Sequence, residues 1–169
     1  RLHMMRKEHD TGRNLRSMLR NVIPLYKHDG IILTPLTRGV RPGRDEASFK
    51  HKTDNPIDVL LDLSSGEPRL QLDDGGVLVE LGAALGCGVG FDTSSAAYQA
   101  FAAGMRVYEA HLGPVPHHVI EVRCQLEPGQ LSLSFVRARP DKRAPNNVVT
   151  VRRTMQTIRD HVEIDDVYE

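Results

Sequence analysis

The sequence predicts an α+β chain, a short strand-and-helix segment followed by a small closed β-barrel with one helix inserted and one at its carboxy-terminal end. Three observations predict it. Apolar residues alternate along several short stretches bounded by turn residues, as half-buried strands require. Asp73-Asp74-Gly75-Gly76 separates two such stretches, 69–72 and 77–81, and Asp-Gly and Gly-Gly steps tolerate the positive φ of a tight hairpin. Two further stretches switch to spacings of three and four, the helical period. Short strands with a helix between them suit a closed barrel.

The elements follow in chain order. Residues 2–22 are basic and helix-compatible, with Leu15, Met18, Leu19 and Val22 on one face. Ile31-Ile32-Leu33, ended by Thr34-Pro35, reads as a buried strand, and 36–44 as a Gly-, Pro- and Arg-rich loop. Residues 48–52 alternate, and 57–63 read as a strand. Gly86-Cys87-Gly88-Val89-Gly90 lacks the Lys-Ser/Thr of a P-loop and reads as a strand-end bend in the barrel. Ala97, Phe101, Met105, Tyr108 and Leu112 share a helical face, and Gly113-Pro114 ends that helix. His117-His118, after Pro116, reads as an exposed turn rather than a zinc site. Residues 118–124 are a strand candidate, and Leu131, Leu133 and Phe135 alternate along another. Pro145-Asn146-Asn147 supplies a stop and a cap before Val148, Val151, Met155, Ile158 and Val162. The acidic tail, 163–169, reads as solvated.

Lys plus Arg number 22 and Asp plus Glu 22, so a protein that holds nucleic acid by bulk positive charge is excluded and any RNA contact is local. Cys87 and Cys124 form no CxxC pair, which favours a reducing, intracellular compartment over a disulfide scaffold. The longest apolar run is too short to span a bilayer. The sequence opens at Arg1 rather than at a methionine, which reads as a piece of something longer.

Three segments carry possible chemistry. In Phe49-Lys50-His51-Lys52, side chains two apart on a strand share a face, so Lys50 and Lys52 project together. They are either edge-strand lysines that discourage aggregation or the seat of an anion such as a phosphate chain. Arg137, Arg139, Lys142 and Arg143 cluster around Asp141 just before the last helix, as a solvated basic turn or as a clamp of Arg and Lys donors on phosphate. Asp29-Gly30 precedes an apolar strand and is either a simple turn or a carboxylate at a cleft floor able to hold a divalent metal.

Taken in order, these segments resemble the motifs of the covalent nucleotidyltransferases, the superfamily of mRNA-capping enzymes and ATP-dependent ligases. His28-Asp29-Gly30-Ile31-Ile32-Leu33-Thr34-Pro35 is similar to the fourth motif. Arg41-Pro42-Gly43-Arg44-Asp45 through Phe49-Lys50-His51-Lys52 resembles the capping-enzyme loop and fifth motif, with His51 where family members usually have Trp. Asn55-Pro56-Ile57-Asp58 resembles the segment leading into the OB-fold domain, and Val119-Ile120-Glu121 falls where the family places a later strand. Arg139-x-Asp141-Lys142-x-x-Pro145-Asn146 with Thr150 is similar to the sixth motif, which separates capping enzymes from most ligases. The resemblance runs from Asp29 to Ile158.

That resemblance implies the carboxy-terminal part of a GTP:mRNA guanylyltransferase. Residues 1–56 would close a nucleotidyltransferase domain, and 57–169 would form an OB-fold lid. Lys50 and Lys52 would contact the α-phosphate of GTP, Arg139 and Lys142 the β- and γ-phosphates, and Asp141 would orient the pyrophosphate. Mg²⁺ or Mn²⁺ would accompany GTP, with Asp29 a candidate ligand. The partners implied are GTP, 5′-diphosphate RNA and the remainder of a capping enzyme or a transcription complex. The compartments would be nucleus or cytoplasm, and the His51 departure would suit a large-DNA-virus enzyme in a viral factory or virion. Lys27-His28-Asp29-Gly30 spells the nucleophile motif, yet it stands about two dozen residues before Lys50, too near to fit the nucleotide pocket between them. The nucleophile is therefore expected elsewhere and the isolated chain inactive. The alternatives are a fragment of an ATP-dependent polynucleotide ligase, or a non-catalytic OB-fold module binding RNA or a partner through aromatic residues such as Tyr98.

Overall fold

The computed structural model describes residues 31–35, 37, 48–52, 54–112 and 117–160. Asp29, the helix read over 2–22, all of the loop over 36–44 except Thr37, the Gly113-Pro114 stop and the tail after 160 lie outside the described residues. Two compact units divide the chain, Arg1–Asp54 and Asn55–Glu169.

In the first unit, β1 (Ile31–Leu33) pairs antiparallel with β2 (Phe49–His51), Ile32 facing Lys50. Directly opposed residues of an antiparallel pair share a face, and here that face is open: Ile32 is 59% exposed. The expectation of a strand buried throughout fails at this position.

The second unit runs β3 (Ile57–Asp62), β4 (Arg69–Asp74), β5 (Val77–Glu80), α1 (Leu81–Leu85), β6 (Gly88–Asp92), α2 (Ala96–Leu112), β7 (His117–Glu127), β8 (Gln130–Ala138) and α3 (Val148–Asp160). Its six strands form one sheet in the order β5-β4-β3-β7-β8-β6, antiparallel except where β6 lies parallel to β8. The β4–β5 hairpin turns through Gly75 and Gly76 at φ 64° and 92°, the left-handed pair that a two-residue hairpin loop demands.

A closed barrel was expected, and the sheet is instead open. It ends on β5 and β6, and no strand pairing among the described residues joins them. The cause lies between these edges. The chain leaving β5 coils into α1, which Gly86 stops at φ 67°, and only then extends again as β6. One long stave is thus broken in two, its first half on β4 and its second on β8. The architecture is α+β and OB-fold-like, with a helical seam.

The core is built from the inward-facing residues of this sheet and the helices packed on it. Ile57, Val59 and Leu61 of β3, Leu72 of β4, Ile120 and Val122 of β7 and Leu131 of β8 are essentially inaccessible, with Leu81 of α1 among them. Helix α3 adds Val148, Val151 and Met155, spaced by three and four along one face. Its start is fixed by Asn147, whose side-chain oxygen accepts the Val149 N–H at 2.9 Å and whose carbonyl accepts that of Val151 at 3.1 Å. Helix α2 docks through aromatic rings: Phe101 stacks on Phe135 of β8 at 5.0 Å, and Tyr98 meets Phe91 of β6 edge-on at 5.2 Å. Tyr98, the ring on which the RNA-binding alternative would rely, is only 6% exposed and belongs to the core. The His117-His118 reading as an exposed turn is also corrected. His117 opens β7, and His118 is half-buried with its ring edge-on to Phe101. No helix among the described residues is long and apolar enough to cross a membrane.

Candidate functional site

Three adjacent strands bring charge into line. In the β3–β7 register Asp58 lies directly across from Glu121, and in the β7–β8 register Glu121 lies across from Arg137. The second alignment depends on one extra residue. Leu131, Leu133 and Phe135 point one way along β8, so strict alternation would carry Arg137 to that same core face. The ladder instead passes from Val122↔Phe135 to Glu121↔Arg137, leaving Val136 as a bulge. The bulge inverts the parity, and Arg137 emerges beside Glu121, donating from Nε and Nη2 to Oε2 at 3.0 and 2.8 Å.

Two residues on, Arg139 shares that face and stands at the centre of the cluster. Its Nη1 donates to Asp58 Oδ1 at 2.8 Å and to Glu121 Oε2 at 2.9 Å. Its opposite edge holds Asp141, Nε to Oδ1 at 2.9 Å and Nη2 to Oδ2 at 2.8 Å. Lys142 Nζ lies 3.3 Å from Asp58 Oδ2. The backbone makes this possible. The Arg139 N–H still bonds the Val119 carbonyl, and a turn closed by the Lys142 N–H on the Arg139 carbonyl at 3.0 Å folds Asp141 back over the guanidinium. Asn146 then ties the loop down. It donates its N–H to the Asp58 carbonyl and accepts the Asp58 N–H on Oδ1, both at 2.8 Å, while its carbonyl accepts the Asp73 N–H at 3.1 Å.

The electrostatics explain why these partners occur together. The Asp58 and Glu121 side chains are only 9% and 13% exposed, and like charges directly opposed across a ladder destabilise it. The Nη1 group of Arg139, set between them, offsets that repulsion. Hydrogen bonding to Asp141 and the nearby Asp58 charge raise the Arg139 guanidinium further above its ordinary value. The same contact, led by the hydrogen bond from Arg139, holds the Asp141 carboxyl down to about 2 from 3.8. Three cations and three carboxylates make the cluster neutral.

Of the residues singled out from the sequence, Arg139, Asp141 and Lys142 are brought together here. Lys50 and Lys52 lie in the first unit, both exposed, Lys50 on β2 and Lys52 just beyond it. Asp29 lies outside the described residues. Among the described residues no group of three or more His, Cys, Asp or Glu side chains is placed to hold a metal ion. Asp58, Glu121 and Asn146 were not singled out as site residues. Asp58 and Glu121 carried a faint signal, each a carboxylate set between two apolar strand neighbours, Ile57 and Val59 or Ile120 and Val122, where a buried charge needs a partner. Asn146 stands in the helix stop and in the sixth-motif pattern, and the sequence assigns it no contact.

Residues 90–168 match the family model for mRNA capping enzyme, C-terminal domain. Over those residues the chain is similar to the C-terminal domain of mRNA capping enzymes. The likeness supports a role in mRNA capping in general terms. The matched span includes Arg137, Arg139, Asp141, Lys142 and Asn146, on the segment between β8 and α3 and its approach. It takes in Glu121 as well, whereas Asp58, Lys50 and Lys52 precede it. No curated protein matches the chain.

Proposed function

We propose that this chain supplies phosphate contacts for GMP transfer from GTP, through a lysyl-GMP intermediate, to 5′-diphosphate RNA. The observation that carries the reading is the loop from Arg137 to Lys142, three cations fixed on one side of the sheet by carboxylates that are themselves buried. Phosphoryl transfer depends mainly on charge neutralisation and positioning, and donors held in place beforehand cost no reorganisation at the moment of reaction. In this reading Arg139 and Lys142 take the β- and γ-phosphates, and Lys50 and Lys52 take the α-phosphate. GTP arrives with Mg²⁺ or Mn²⁺ on its own phosphates, as substrate. The carboxylates of the cluster are occupied by Arg and Lys, so they do not fit a metal. The nucleophilic lysine belongs to neither unit, and the chain acts as part of a larger enzyme or complex.

The burial of Tyr98 speaks against the RNA-binding alternative, since a ring locked in the core cannot stack on a base. In a capping enzyme containing this chain, Lys142→Ala is expected to slow GMP transfer by on the order of a hundredfold, the usual cost of deleting one donor aimed at developing charge. The chain alone, incubated with GTP and Mg²⁺, is expected to show no lysine-linked GMP by mass spectrometry. Undiminished transfer by the variant would refute the phosphate role, and an adduct on the chain would place the nucleophile within it.

A further inference from the structure

The guanidinium of Arg139 is not open to an incoming anion in this structure. Its Nη1 corner is set into the sheet by Asp58 and Glu121. Its outward edge, the parallel Nε and Nη2 donors, is filled by both oxygens of Asp141. That edge is the one a phosphate would use, because a pair of phosphate oxygens takes a guanidinium fork as a carboxylate does. We propose that Asp141 is an internal stand-in for phosphate: it occupies the seat on Arg139 when the seat is empty and is displaced when a polyphosphate binds. The proposal rests on the reading of Arg139 as a phosphate ligand, and it gives Asp141 a role opposed to that of orienting the pyrophosphate.

The three carboxylates around Arg139 differ in the way this exchange requires. Asp58 and Glu121 project from central strands, are largely covered, and cannot leave without moving the sheet. The Asp141 side chain is 63% exposed and sits on the turn between Arg139 and Lys142, so one side-chain rotation frees the fork while Nη1 stays anchored. Asp58 and Glu121 are then positioning residues. They aim the fork outward and keep it aimed after Asp141 has left. Lys142 Nζ, on the same turn and 40% exposed, stands ready to meet the same ligand. The exchange replaces an exposed pair of unit charges with one between Arg139 and a more highly charged anion. An unoccupied seat thereby stays neutral, and weakly charged anions are held off it.

The test is inorganic tripolyphosphate binding to the chain, measured by calorimetry for the wild type, Asp141→Asn, Asp141→Glu and Asp74→Asn. Asp74 lies on the exposed β4–β5 hairpin and controls for the loss of one negative charge. Asp141→Asn is expected to bind roughly tenfold more tightly, as fits a ligand that no longer has to break a bidentate charged contact. Asp141→Glu, which restores a carboxylate, and Asp74→Asn should bind like the wild type. Equal or weaker binding by Asp141→Asn, with the wild type still binding, would overturn the stand-in while leaving the phosphate reading intact. Gains of equal size in Asp141→Asn and Asp74→Asn would also overturn it, reducing the effect to net charge. Binding by none of the four proteins would overturn both.

Discussion

Arg139 holds together two carboxylates that would otherwise repel across a ladder, while Asp141 meets it from the solvent side. The Asp141 contact carries a pH signature. Its folded-state value of about 2 lies below the ordinary 3.8, so the folded protein binds its proton less readily than the unfolded chain. The pair therefore stabilises the fold fully above about pH 4, and that contribution drains away as pH falls through about 2. Urea unfolding of the wild type and Asp141→Asn should differ by a constant amount between pH 5 and 8 and converge towards pH 2. A difference that grows on acidification would contradict this assignment. In the sequence, the basic loop and its one acidic residue were legible as a group. Their partners were not, because Asp58 and Glu121 stand more than a dozen positions away and only strand pairing reveals them.

Among the elements, those with long periodic patterns were legible and those set by one or two residues were not. Helix α3 was readable from its apolar spacing and its preceding asparagines, and the hairpin from its two glycines. Helix α1 was invisible because five residues are too few to display a period, so its first residue, Leu81, looked like the end of a strand. The barrel's failure to close follows from that same short helix, which also explains why closure could not be anticipated. The legible cap makes a quantitative expectation. Asn147→Ala removes the oxygen that satisfies the Val149 N–H, and the domain should lose about 1 kcal/mol in urea titrations. An unchanged midpoint would mean that docking of Val148, Val151 and Met155 alone sets where the helix starts.

At the scale of the molecule, the buried apolar cluster among the described residues runs from Ile57 to Met155. Such a cluster predicts that the second unit folds by itself, so residues 55–169 expressed alone should unfold in one cooperative urea transition. A shallow, non-cooperative curve would show that the preceding residues are needed. The charged face of the second unit depends on a detail that no composition displays. Val136 is the odd residue that turns Arg137 away from the core. Transplanting the Arg139-Asp141-Lys142 loop onto another strand with its motif intact but its spacing off by a single codon would carry the cations to the wrong side of the sheet, and Asp58 and Glu121 would be stranded against each other. For this segment, correct counting is as much a part of the inherited chemistry as the charged residues themselves.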